Sequence, residues 1–175
     1  MLENDLDLLR NAAILAGKIA MRFYQKNPTY WDKGDGQGPV SEADLEIDKM
    51  LFEYLSNARS NYGFLSEEAE NNTDRNNTKN IFIIDPIDGT KNYLRGVPTW
   101  ATLIGLVDPT GKVIVGVVSA PALSARWWAG ENLGAKGSFN GSVRELNVSK
   151  VSKLSDASLS YSDLIGWGDR KAKFL

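Results

Sequence analysis

The sequence predicts an α+β fold in which two helices pack on a largely antiparallel sheet. Residues 5–25 and 41–59 carry apolar side chains at helical spacing, whereas the chain after residue 80 consists of short apolar runs separated by turn residues. Helices that are grouped before strands, and do not alternate with them, are typical of α+β proteins. At 175 residues the chain is long enough to bury a sizeable core.

Each of the two helices has a clear boundary in the sequence. Pro28 limits the extension of the first helix, because proline cannot continue a helix interior. The Gly-rich segment 30–40 predicts a loop or an irregular hairpin. Ser41 then offers an N-cap, and Asp44 lies in the first turn, where negative charge suits the helix dipole. The second helix is expected to continue to about Arg59.

The second part of the chain predicts strands and turns. Residues 81–84 form a short apolar run that predicts a buried strand ending at Asp85, and Asp108-Pro109-Thr110-Gly111 is typical of a hairpin turn. Segment 71–80 is polar and predicts a surface loop. The other predicted strands are 100–107, 112–119 and 126–129, with further short strands to about Val148; the tryptophans on them, Trp100, Trp127 and Trp128, are expected in the core or in a dimer interface.

Composition excludes several classes of chemistry. The chain has no cysteine and no histidine, so a disulfide framework, a zinc finger, a thiol nucleophile and an imidazole base are all excluded. The net charge of −2 gives no general attraction to nucleic acid or to an acidic membrane surface. The acidic start and the charged residues after it predict neither a signal peptide nor a membrane span, so a cytoplasmic protein is expected. Chemistry must therefore use carboxylates, hydroxyls, amines, backbone groups or a hard metal ion.

The most informative segment is Ile84-Asp85-Pro86-Ile87-Asp88-Gly89-Thr90. Two carboxylates at the end of a strand suit a divalent cation that prefers oxygen ligands. The backbone N–H groups of Gly89 and Thr90 next to them suit a bound phosphate. The alternative is that this segment is only a loop with Asx-type turns.

Two other acidic positions extend this pattern. Glu67 and Glu68 follow an apolar pair at a predicted strand end, and Asp44 starts the second helix. Each of them alone is more typical of a solvated charge or of a helix start. Together with Asp85 and Asp88 they form an ordered acidic series.

That ordered series resembles the inositol monophosphatase superfamily of Mg²⁺-dependent phosphatases. Segment 31–44 is similar to the loop and second helix of that family. Within the superfamily the chain is most similar to histidinol-phosphatases of the actinobacterial type. The residues that carry this finer similarity are 88–101, 116–123, 126–129, 154–162 and 166–167.

The resemblance implies roles for individual residues. Glu67, Asp85, Asp88 and the carbonyl of Ile87 would hold two or three Mg²⁺ ions, with Asp85 bridging two of them. Gly89 and Thr90 would bind the phosphate through their N–H groups, with Asp88 and Lys91 beside it. Asp44 and Thr90 would orient and deprotonate the attacking water, with Glu68 as a helper. Lys33 would support the acidic cluster or the product phosphate, or is simply an exposed loop lysine.

The resemblance also implies an activity and an assembly. The expected protein is a Mg²⁺-dependent phosphomonoesterase that acts on a small phosphorylated alcohol, with L-histidinol phosphate as the first expected substrate. It is expected to form a homodimer. Nucleic-acid and membrane partners are not expected. The alternatives are an inositol-1-monophosphatase, a 3′(2′),5′-bisphosphate nucleotidase, or a truncated module without activity.

Two departures from the family pattern matter. Ser66 stands where many members have glycine. Residues 1–175 correspond to the N-terminal α+β portion of the family. Family members continue into an α/β portion with a Trp-Asp motif that completes the second metal site. No such motif follows residue 150 in this sequence. The chain alone is therefore expected to be weakly active or inactive and to expose an apolar edge.

Overall fold

The computed structural model describes residues 2–34, 38–68 and 79–158. Most of the predicted polar loop at 71–80 lies outside the described residues. The residues from 159 onward, some of which carry the similarity to histidinol-phosphatases, also lie outside them. In the part of the chain that is described, no helix combines the length and the apolar character needed to cross a membrane.

The two predicted helices are confirmed, with small shifts at their ends. Helix α1 spans Leu2–Phe23 and starts three residues before its predicted position. Strands β1 (Tyr30–Asp32) and β2 (Pro39–Ser41) pair antiparallel, so the Gly-rich segment is a hairpin. Helix α2 spans Glu42–Ala58 and begins directly after Ser41, the predicted N-cap.

The remaining strands form one seven-stranded sheet. Its order is β3-β4-β5-β6-β7-β8-β9; β3 and β4 are parallel, and every other neighbouring pair is antiparallel. This arrangement confirms the α+β prediction. The strands are β3 (Gly63–Ser66), β4 (Ile81–Asp88), β5 (Ala101–Val107), β6 (Val113–Ala120), β7 (Ala125–Gly130), β8 (Gly134–Phe139) and β9 (Ser142–Leu146), with the short helix α3 (Thr90–Leu94) after β4.

The predicted end of β4 at Asp85 is wrong. The strand continues through Pro86 and Ile87 to Asp88, and its register with β5 shifts between Asp85 and Asp88. Proline removes only one backbone donor, and a β-bulge tolerates that loss. The chain therefore turns at Gly89, after both aspartates and not between them.

Helices α1 and α2 cover one face of the sheet. Helix α1 lies across β5, β6 and β7, and α2 lies across β3 and β4. Alternate strand residues such as Phe82, Ile104 and Val117 point into this layer and are almost completely buried. Trp100 and Trp128 are also buried, which confirms their prediction as core residues, whereas Trp127 is only half-buried.

An aromatic cluster fixes the segment after β4 to helix α1. The Tyr93 hydroxyl donates a hydrogen bond to the Ala20 carbonyl (2.8 Å), and the Tyr24 hydroxyl donates to the Gly96 carbonyl (2.6 Å). Trp100 contacts both tyrosine rings, with centroid distances of 4.9 Å to Tyr93 and 5.3 Å to Tyr24. The turn at the end of β4 is therefore held by the core.

Candidate active site

Strands β3 and β4 bring two carboxylates to one edge of the sheet. Because these strands are parallel, with Ser66 paired to Ile84, the residues that follow emerge side by side. The Glu67 N–H donates to the Ile84 carbonyl (3.2 Å), which continues the ladder by one residue. The side chains of Glu67 and Asp85 are within hydrogen-bonding reach of each other.

A cavity of about 210 Å³ lies at this edge. It is bordered by every residue that the sequence predicted for metal or phosphate binding, and it is closed on one side by the β1–β2 hairpin. The lining residues are Gly38, Pro39, Glu67, Asp85, Ile87, Asp88, Gly89, Thr90 and Lys91.

The turn at Gly89 requires glycine. Its φ of +87° lies in the left-handed region, and a Cβ atom there would come within 3.2 Å of the Thr99 carbonyl oxygen. The Thr90 hydroxyl donates to the Ile87 carbonyl (3.0 Å), and the Gly89 carbonyl accepts from the N–H of Tyr93 (3.0 Å). These contacts give the segment from Asp88 to Thr90 a fixed backbone at the rim of the cavity.

The crowded carboxylates perturb each other. Burial raises the pKa of Asp85, and the nearby charges of Glu67 and Asp88 raise it further, to about 8. The more distant Asp44 acts in the same direction. The arrangement therefore holds negative charge in a confined space, and a cation in the cavity would relieve the repulsion.

Lys33 supplies positive charge to one side of the cluster. Its Nζ atom lies 3.0 Å from Glu67 Oε1 and 2.7 Å from Glu68 Oε1, and its side chain is 14% exposed. Burial alone would lower the pKa of Lys33, but the hydrogen bonds to Glu68 and Glu67 raise it above its ordinary value. Lys33 is therefore not a free loop lysine.

Two of the predicted catalytic residues lie away from the cavity lining. Asp44 is 1% exposed and forms a capping box with Ser41, whose N–H (2.9 Å) and hydroxyl (2.6 Å) donate to Asp44 Oδ2. Asp44 Oδ1 has no hydrogen-bond partner among the residues that the structure describes. Glu68 turns toward Lys33. Asp44 and Glu68 therefore lie next to the cluster, and Thr90 is the catalytic candidate that borders the cavity itself.

The residues present have the chemistry of a Mg²⁺ site. Within the described ranges, no three acidic side chains are already arranged as a complete set of metal ligands. The possible ligand atoms that border the cavity are nevertheless all hard oxygens, and burial together with the charges of Glu67 and Asp88 raises the pKa of Asp85. The chemistry of this donor set fits a hard divalent cation such as Mg²⁺.

Sequence reasoning missed a pair of residues that supports the cluster. Ser66 is 5% exposed; it hydrogen-bonds to the Asp48 carboxylate and accepts a hydrogen bond from the Glu68 N–H (3.3 Å). Asp48 Oδ1 has no partner among the described residues. The available signal was the spacing of four between Asp44 and Asp48, which puts both on one face of α2.

Ser66→Ala is expected to lower the free energy of unfolding by about 1–2 kcal/mol, because the Asp48 carboxylate loses a buried hydrogen bond. Urea unfolding of the metal-free chain measures this change. Ser60→Ala, at an exposed position after α2, is the matched control and should change stability little. Equal effects of the two substitutions would contradict a supporting role for Ser66.

Comparisons with known proteins agree with the geometry. The sequence profile of the inositol monophosphatase family matches residues 1–167. The chain is 48% identical over 142 residues to a histidinol-phosphatase of Streptomyces coelicolor, with 75% of this chain and 50% of that protein covered. It is 47% identical over 130 residues to a histidinol-phosphatase of Mycobacterium tuberculosis, with coverage of 74% and 49%.

A solved structure shows the same fold. The extragenic suppressor protein suhB of Bartonella henselae matches with a TM-score of 0.74 and 35% identity, over 85% of this chain and 55% of that one. The chain thus spans about half the length of the curated relatives and of the solved structure that it matches.

Proposed function

Because the chain belongs to the inositol monophosphatase family, we propose that it supplies the N-terminal half of a Mg²⁺-dependent phosphomonoesterase that hydrolyses L-histidinol phosphate. The two histidinol-phosphatases, at 47–48% identity, support this choice of substrate. The cavity supports the choice of reaction, because three carboxylates and the glycine turn at Gly89 and Thr90 meet there; within the described ranges, the N–H groups of these two residues donate no turn or loop hydrogen bond.

In this proposal Glu67, Asp85, Asp88 and the Ile87 carbonyl hold the cation. The Ile87 carbonyl accepts one hydrogen bond from Thr90 and keeps a second lone pair for a ligand contact. When bound, Mg²⁺ would supply positive charge that stabilises the phosphoryl oxygens and lowers the pKa of water.

The phosphate binds at the turn after β4. The N–H groups of Gly89 and Thr90 donate to its oxygens, and the Lys91 ammonium, which borders the same cavity, adds a positive charge. The Lys91 Cε atom would lie 3.9 Å from a Cβ atom built at Gly38, so the lysine side chain passes near the β1–β2 hairpin. The phosphorus is thereby positioned next to the carboxylates.

The attacking water is oriented and deprotonated by Asp44 and Thr90. Burial raises the pKa of Asp44, although the Ser41 hydrogen bonds act against this, and a carboxylate with a raised pKa is a better proton acceptor. Asp44 Oδ1 is buried and has no hydrogen-bond partner among the described residues, so it can accept this proton only from a water that reaches it from the neighbouring acidic cluster. Glu68 acts as a helper: its carboxylate accepts a hydrogen bond from the Lys33 ammonium, which fixes its negative charge beside the cluster.

The proposal is tested by measuring Mg²⁺ binding and phosphate release. The chain is titrated with Mg²⁺ by calorimetry and then incubated with L-histidinol phosphate, inositol 1-phosphate or adenosine 3′,5′-bisphosphate. Each incubation is done with and without the part of the Streptomyces coelicolor relative that follows the matched region. Fastest release from L-histidinol phosphate, with much more turnover in the presence of the added half, is the expected result.

The other outcomes separate the alternatives. Faster phosphate release from one of the other two esters would support the proposed reaction but indicate a different substrate. Absence of Mg²⁺ binding, together with no turnover when the second half is added, would favour a binding module without activity.

Lys33→Met is expected to tighten Mg²⁺ binding about fivefold, equal to about 1 kcal/mol, because the ammonium no longer competes for Glu67. Calorimetric titration of the isolated chain measures the change. Lys49→Met removes an exposed lysine of α2 and serves as the control. Weaker binding by the Lys33 variant would contradict competition and would indicate that Lys33 positions the ligands.

A further inference from the structure

Arg126 on strand β7 is a half-buried cation without an acidic partner. Its Nε atom donates a hydrogen bond to the hydroxyl of Ser119 (3.3 Å), a completely buried residue opposite it on β6. Among the residues that the structure describes, no carboxylate forms an ion pair with Arg126. Removing a charged group from water is costly when no opposite charge lies beside it, so this guanidinium is a candidate for binding an anion.

A second guanidinium lies beside the first. The Cζ atom of Arg10, on α1, lies 4.5 Å from the centroid of the Trp128 ring. Trp128 follows Arg126 by two residues on β7, so both side chains lie on the same face of the sheet, about 7 Å apart along the strand. Burial lowers the pKa of Arg126, and the positive charge of Arg10 lowers it further. The two cations repel each other, and an anion between them would relieve the repulsion.

Two acidic residues of α1, Asp7 and Glu3, lie near the arginines but do not neutralise Arg126. Asp7 Oδ1 lies 2.9 Å from Arg10 Nη1, but the two side chains are 66% and 38% exposed, so this ion pair contributes little. A guanidinium has five N–H donors, so Arg10 can contact Asp7 and a ligand at the same time. Glu3 lies about 10 Å from Arg10 along the helix, where salt screens most of its exposed charge.

A cavity of about 340 Å³ opens beside Arg10, where the sheet extends beyond α1 to β8 and β9. The apolar residues that line it come from α1, from β7 and the turn after it, and from β9: Leu6, Trp128, Leu133 and Val143. Lys136, whose neighbour across β9 is Glu145, also borders it. A mostly apolar wall with a few charged groups at its rim is typical of a site for a small organic molecule, and this volume is large enough for one.

We propose that Arg126 and Arg10 bind the oxyanion of a small organic ligand, a phosphate or carboxylate group, while the apolar part of the ligand lies in this cavity. The hydrogen bond to Ser119 holds the Arg126 guanidinium in place for the contact. Guanidinium groups offer paired N–H donors that match the geometry of either oxyanion. No residue borders both this cavity and the candidate active site, so the ligand site is separate from the phosphatase machinery and does not depend on the proposed function.

The test is titration of the full 175-residue chain, in chelator, with phenyl phosphate, benzoate and inorganic phosphate at equal ionic strength. NMR spectroscopy of the arginine side-chain N–H groups, the tryptophan indole N–H groups and the backbone locates the binding. Arg126→Gln removes the central cation, and Arg10→Gln is a second variant that leaves the strand unchanged. The matched control is Arg144→Gln, which removes an exposed arginine of β9 that stacks on Phe139. Circular dichroism checks that each variant is folded.

The expected result is saturable binding of phenyl phosphate or benzoate that shifts the Arg126 and Trp128 side-chain signals and is tighter than binding of inorganic phosphate. The tighter of the two organic anions identifies the preferred oxyanion. Affinity should fall about tenfold in Arg126→Gln, fall less in Arg10→Gln and stay unchanged in Arg144→Gln. Three results would overturn the proposal: no saturable binding of either organic anion, equal affinities of the Arg126 and Arg144 variants, or signal changes confined to residues 89–91.

Discussion

We expect Asp85→Asn to stabilise the metal-free chain and at the same time to remove most of the Mg²⁺ affinity that the proposed function assigns to it. The first effect follows from the burial of Asp85 and its repulsion by Glu67 and Asp88, which raise its pKa from 3.8 to about 8. An amide of nearly the same shape cannot ionise, so it is not subject to this repulsion. The second effect would follow because an amide oxygen is a weaker ligand for Mg²⁺ than a carboxylate.

The stabilisation depends on pH with a defined sign. Because the pKa of Asp85 is higher in the folded chain than in the unfolded chain, the folded state binds the proton more tightly, and stability falls as pH rises from about 4 to about 8. The advantage of the asparagine variant should be absent below pH 4 and greatest above pH 8. We expect it to reach about 3 kcal/mol, roughly half of what about 1.4 kcal/mol per pKa unit implies, because Asp85 is partly solvated.

Thermal unfolding in chelator between pH 4 and 9, followed by calorimetry with Mg²⁺, measures both effects. Glu145→Gln, at an exposed position on β9, is the control for the loss of one negative charge. If the Asp85 variant were less stable than the wild type above pH 8, or bound Mg²⁺ equally well, Asp85 would not be a crowded ligand.

Trp100→Ala is expected to lower the free energy of unfolding by about 3–5 kcal/mol, the range for removing a large buried aromatic side chain. Trp100 is 3% exposed and contacts the rings of Tyr24 and Tyr93. Its backbone also lies against Gly89, so the turn at the cavity rim should loosen as the core does. Urea denaturation measures the first effect, and hydrogen exchange at residues 89–94 measures the second.

Trp127→Ala provides the comparison for Trp100. Trp127 is half-buried, and its ring contacts Phe139 with a centroid distance of 5.5 Å. Its removal should cost about 1–2 kcal/mol and leave exchange at 89–94 unchanged. Similar costs for the two tryptophans would contradict the view that Trp100 anchors the turn.

The helices and the antiparallel part of the sheet could be predicted because their signals are local. Ser41 with Asp44 marks the start of α2, and the turn at Asp108–Gly111 joins β5 to β6, where Gly111 N–H donates to the Asp108 carbonyl. Hydrophobic periodicity then identifies the buried face of each element.

The path of β4 through Asp88 could not be predicted in the same way. Pro86 normally argues against a strand interior, and only the register shift against β5 makes room for it. The parallel pairing of β3 with β4 is also less local than a hairpin, since residues 67–80 separate the two strands in the sequence. Sequence order predicted the candidate carboxylates, whereas the strand pairing determines how close Glu67 and Asp85 come to each other.

The contacts of Lys33 also depend on long-range structure that the local sequence does not predict. Its position in a Gly-rich hairpin is compatible with an exposed lysine or with a partner of the acidic cluster, and nothing local separates the two. The hairpin places Nζ within 3.0 Å of two glutamates that lie 34 and 35 residues further along the chain. Likewise, the expected apolar edge is in fact a face of the sheet, formed by the edge strand β3 and the interior strands β4 to β6.

The single parallel pairing also affects the order of folding. Strands β5 to β9 are joined by short connections, so each hairpin closes a small loop at low entropic cost. Strand β3 is connected to β4 through a longer segment, and α2 packs on both strands, so β3 is expected to enter the sheet together with α2. The meander should therefore form as an early nucleus, and the edge that bears the carboxylates should assemble last, after most of the chain is already compact.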